Sequence, residues 1–70
     1  MKREVMAREV MIGQVSRAHI RARKMAEELD GVARKLEGTP DFVPAIEKVM
    51  DVRRAERWLS GYLDELRAIH

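Results

Sequence analysis

Ser16 and His19 stand one helical turn apart, a spacing at which an imidazole can draw a proton from a hydroxyl. Nucleophilic catalysis also needs a group to orient the base and donors for an oxyanion, and the sequence offers neither. A carboxylate-bridged metal centre in a helical bundle uses Glu-x-x-His on two helices, whereas here Glu65 and His70 lie too far apart for that motif. With two histidines and no cysteine, a zinc site lacks its usual ligands. Gly-rich phosphate loops are absent. The expectation is a protein without catalytic activity, metal or cofactor.

The pair with the most defined chemistry is His19 and Glu56. Both fall at otherwise apolar positions, one in each half of the chain, and a buried imidazole–carboxylate pair would set register. Histidine titrates near neutrality, so such a pair would also make assembly sensitive to pH.

Basic residues form the second constellation. No acidic residue stands between Glu9 and Glu27, while Arg17, Arg21, Arg23 and Lys24 all do. Arg53, Arg54 and Arg57 cluster again in the second half. Arginine's planar fork suits phosphate, so these seven could contact an anion or nucleic acid. Glu27, Glu28, Asp51 and Glu56 are near enough in sequence to neutralise much of that charge. A single amide, Gln14, leaves little for reading base edges.

These residues must be held by helices. Val5, Ile12, His19, Ala26 and Ala33 recur every seven residues, as do Arg8, Val15, Ala22, Leu29 and Leu36 three places on. Met11, Ala18, Met25 and Val32 widen the stripe to a third column, a bundle pattern rather than a narrow two-stranded seam. The first helix is predicted over about 2–37, ending at Gly38 in a left-handed conformation. Asp41 then caps a second helix over about 42–69, which places Pro44 in the first turn, where its missing N–H costs nothing. Phe42, Ala45, Val49, Val52, Leu59, Leu63 and Leu66 make its stripe, flanked by Ala55, Tyr62 and Ile69. The lengths are roughly 54 Å and 42 Å.

The short connection makes the pair antiparallel, with residue i beside residue 78 minus i, give or take two. That pairing sets Arg57 level with Arg21 and Arg54 level with Lys24, and leaves Val5 and Met6 overhanging. Gly13 and Gly31 weaken the first helix, and a break at Asp30-Gly31 would give three helices instead. The stripe keeps its register across Gly31, which favours the unbroken helix.

Seventy residues make one small helical domain near the size at which a single core is marginal, and no disulfide supports it. Apolar residues also exceed what one hairpin can cover. Val10, Ile12, Ile20, Met50, Trp58 and Tyr62, with the overhanging Val5 and Met6, are the candidate interface, Trp58 alone bringing up to about 250 Å². The expected arrangement is a homodimer of hairpins closing a four-helix bundle, acting as adaptor, scaffold or regulator. The alternative is a nucleic-acid-binding regulator. Charged residues interrupt every apolar run, so no membrane span is expected and the default location is cytoplasmic. Few amides and many charges suit a heat-adapted source, and GC-rich coding produces the same bias.

Overall fold

A computed structural model describes the backbone of residues 2–68 and the side chains of residues 7–68. It contains two helices, α1 (Lys2–Lys35) and α2 (Phe42–Ala68), packed against each other as a hairpin. Both expected weak points in α1 are helical, because no break occurs at Gly13 or at Asp30-Gly31. The three-helix alternative is therefore excluded. α1 stops two residues short of the expected end, since Leu36, Glu37 and Gly38 belong to the connecting turn.

Gly38 takes φ +82°, the left-handed conformation that a Cβ disfavours. The turn is then held from one side by Thr39. Its N–H and its hydroxyl both donate to the Leu36 carbonyl, at 3.0 and 2.6 Å. The same hydroxyl accepts the Asp41 N–H at 3.3 Å, and the Asp41 carbonyl accepts the Ala45 N–H at 3.2 Å to begin α2. Asp41 thus occupies the capping position, but its carboxylate takes no backbone N–H. One reason is Pro44, which removes a donor that a capping side chain normally receives.

The hairpin is a thin rod, 57 × 14 × 11 Å, with a radius of gyration of 16.3 Å. A compact domain of this length would have a radius near 11 Å. Among the described residues the buried side chains are few: Ala26, Ala33, Val49, Leu63 and Leu66. Four of these lie in one heptad column, formed by Ile12, His19, Ala26 and Ala33 on α1 and by Phe42, Val49, Glu56 and Leu63 on α2. The neighbouring column (Val15, Ala22, Leu29 and Leu36 with Ala45, Val52, Leu59 and Leu66) is half-buried except at Leu66. The third column is exposed, with Met25 at 51% and Val32 at 53%. The three-column stripe is thus covered on one edge and open on the other. One neighbouring helix can shield only a two-column seam.

Ion pairs are local and exposed. Arg34 Nε donates to Asp30 at 3.0 Å one turn away, and this hydrogen bond, reinforced by the carboxylate's charge, pushes the guanidinium further up from its ordinary range. Arginine is charged at any working pH, so this leaves the fold's pH dependence untouched.

The glycines supply a test. A Cβ added at Gly31 meets nothing within 4 Å and the backbone there is ordinary helix, whereas Gly38 needs its positive φ. Gly31→Ala is expected to stabilise by about 0.5–1 kcal/mol and Gly38→Ala to destabilise by about 1 kcal/mol. Thermal unfolding followed by circular dichroism should show shifts of opposite sign, each several degrees.

Candidate functional site

The two helices leave a groove on each side of the rod, and the grooves differ in chemistry. His19, Arg53, Glu56, Arg57 and Ser60 line one. Ala18, Arg21, Ala22, Met25, Asp51, Val52 and Ala55 line the other. The linings share no residue. The division follows from the turn of about 100° per residue. Columns that flank the buried one on its far side collect Ser16, Arg23, Ser60 and Arg53. Columns beyond the half-buried one collect Met11, Ala18, Met25, Val32, Ala55 and Tyr62.

On the polar side His19 and Glu56 meet, with Nε2 4.0 Å from Oε1. That distance is too long for a hydrogen bond. The pair is also not buried as expected, since the two side chains keep 25% and 20% of their exposure. Both sit at the edge of the covered column, where the lining turns to Ser60, Arg53 and Arg57, so solvent reaches them. No hydrogen bond joins Ser16 to His19, and the proton-transfer geometry that their spacing would permit is not formed. Among the described residues no cluster of three or more His, Cys, Asp or Glu could hold a metal ion.

The basic residues are divided between the two grooves, with Arg53 and Arg57 lining the polar one. Arg21 is level with Arg57 as the hairpin pairing requires, yet it lines the apolar groove beside Met25 and Asp51. Level along the rod does not determine side. Arg23 reaches Glu27 at 3.8 Å and Arg54 reaches Asp51 at 3.4 Å, both exposed pairs within one helix. Arg17, Arg21, Lys24, Arg53 and Arg57 have no ion-pair or hydrogen-bond partner among the described residues. Local neutralisation is therefore partial.

On the apolar side Met11, Met25 and Val32 are exposed. Trp58, 67% exposed, stands at its edge and lies against Tyr62 one turn on, with ring centroids 5.6 Å apart and planes at 38°. Of the other candidate interface residues, Ile12 is half-buried in the seam, while Val10, Ile20 and Met50 are exposed away from this side. The structure brings Trp58 and Tyr62 together and leaves those three scattered. The side chains of Val5 and Met6 lie outside the described residues. Met11, Ala18, Met25, Val32 and Ala55 are legible in the sequence as part of a stripe but not as free surface. The signal is the stripe's third column, which one partner helix does not reach.

Comparison with protein-family models, with curated proteins and with solved structures finds no match to this chain. Among the described residues no helix is long and apolar enough to cross a membrane.

The His19–Glu56 pair, still reached by solvent and 4.0 Å apart, should be worth little. A double-mutant cycle with His19→Ala and Glu56→Ala is expected to give a coupling of about 0.2–1 kcal/mol. A coupling well above that range would mean that the pair is shielded from water in the working state.

Proposed function

We propose that this protein is a helical interaction module without catalytic activity, and that its first partner is a second copy of itself. The observation that carries the reading is the open apolar side: a half-buried column backed by exposed Met11, Met25 and Val32, facing away from the covered seam. Surface area supplies the magnitude. The chain exposes 5828 Å², whereas a compact monomer of 8.1 kDa exposes about 4,500 Å². The excess of roughly 1,300 Å² exceeds the ~800 Å² each partner contributes to a standard interface. In a four-helix bundle each helix has two neighbours about a quarter turn apart. The third column lies at about that angle from the covered seam. Two hairpins meeting on this side complete a bundle, leaving the polar groove outside for adaptor or regulatory contacts.

Sedimentation equilibrium should show twice the chain mass at micromolar concentration, and thermal stability should rise with concentration, because assembly and folding are linked. Met25→Glu is expected to weaken self-association at least tenfold, since a buried unpaired carboxylate costs more than about 1.4 kcal/mol. A well-folded monomer at all concentrations would remove the proposal.

A second reading rests on the unpaired Arg17, Lys24, Arg53 and Arg57, which stay exposed when the apolar side is filled. They supply a phosphate-binding surface for nucleic acid. Labelled duplex DNA or RNA at low salt should bind with an affinity that falls steeply as salt rises, and Arg53→Glu with Arg57→Glu should abolish it. Absence of binding at low salt would end this reading.

A further inference from the structure

The apolar groove has a floor of small side chains at mid-rod. Ala18 and Ala22 from α1 face Ala55 and Val52 from α2, with Met25, Arg21 and Asp51 as its rim. Three alanines in adjoining turns make a depression where neighbouring levels carry Met11, Val32 or Tyr62. At the edge of that side stands Trp58, the most exposed of the large apolar side chains, packed against Tyr62 beside Gly61 and Glu65. We propose that Trp58 of each copy seats in the alanine-floored depression of the other, across a two-fold axis perpendicular to the rod. This rests on the self-association reading and specifies its contact.

Three observations lead to a second copy as occupant. The excess area is larger than what each partner gives to a dimer interface of standard size. The knob stands at the edge of the side that holds the hole, and both belong to one chain, so that one symmetry operation fills both holes at once. Their levels also agree. By the hairpin pairing Trp58 is level with about residue 20 of α1, and the depression centres near residue 23, an offset of roughly 4.5 Å along the axis. A two-fold axis passing between those levels exchanges knob and hole. It falls close to the middle of the paired helices, so the two rods overlap over most of their length in opposite directions. Arg21 at the rim is then positioned over the incoming indole, where a guanidinium is attracted to the ring face. This accounts for an unpaired cation on the otherwise apolar side.

Trp58 is the only tryptophan in the chain, so it reports its own environment. Emission and acrylamide quenching of the unmodified protein are measured across the concentrations at which sedimentation shows the mass doubling. The expected result is a blue shift and a several-fold fall in quenching that track the mass. Ala55→Arg, at a position exposed in the hairpin, should weaken self-association at least tenfold while circular dichroism stays helical. Ala55→Ser should behave as the unmodified chain. If the mass doubles while Trp58 remains red-shifted and fully quenchable, the seat is wrong although the dimer stands. Ala55→Arg dimerising with unchanged affinity would likewise overturn the seat. One chain mass at every concentration removes both the seat and the self-association on which it depends.

Discussion

One helix can shelter only two columns of another, and this chain carries three. That constraint orders the whole structure. The column pointing into the seam is buried as Ala26, Ala33, Val49 and Leu63; the next is half-wet; the third lies in solvent as Met25 and Val32. Hydrophobic burial of about 25 cal/mol per Å² is the largest favourable term in folding, and on this edge the hairpin forgoes it for Met25 and Val32. The same rotation that opens the apolar edge turns Arg53, Arg57, Ser60 and His19 to the opposite one. The two chemistries are separated by helix geometry alone.

The hairpin is largely legible in the sequence. Seven-residue recurrence on either side of Gly38, Thr39, Pro40 and Asp41 suffices for two antiparallel helices, and φ +82° at Gly38 agrees with the terminator role expected of it. Gly31 does not break α1, because a stripe with intact register outweighs a local propensity of about 1 kcal/mol. The capping carboxylate is less legible. Asp41 has the right type and place, but the side chain that organises the turn is Thr39, whose hydroxyl bonds backward to Leu36 and forward to Asp41. Competition between neighbouring polar side chains for the same few backbone groups is decided by turn geometry, which composition does not encode.

The candidate site is legible in inventory and not in arrangement. The pairing of levels along the hairpin brings His19 near Glu56, as the structure has it, but does not say how wet the pair is. Arg21 illustrates the other gap. Level alone matches it with Arg57, yet a heptad position also has an azimuth, and the two arginines point to opposite grooves. Met25 and Val32 read as part of the hairpin's own stripe because periodicity shows how wide an apolar band is, not how many neighbours cover it.

The distribution of buried side chains along the rod has a consequence for how it closes. Near the connection the seam covers Ala26, Ala33 and Val49 and leaves Leu29, Leu36 and Phe42 half-buried, whereas at the far end Leu63 and Leu66 are covered. Chain connectivity keeps the helices together beside Gly38 at small entropic cost, so partial cover of Leu36 and Phe42 suffices there. Each step away from the turn joins residues separated by a longer loop, and the cost of closure grows with the logarithm of that length. The large side chains that are covered stand where the tether is weakest. The hairpin closes like a zipper started at Gly38 and latched at its open end by two leucines.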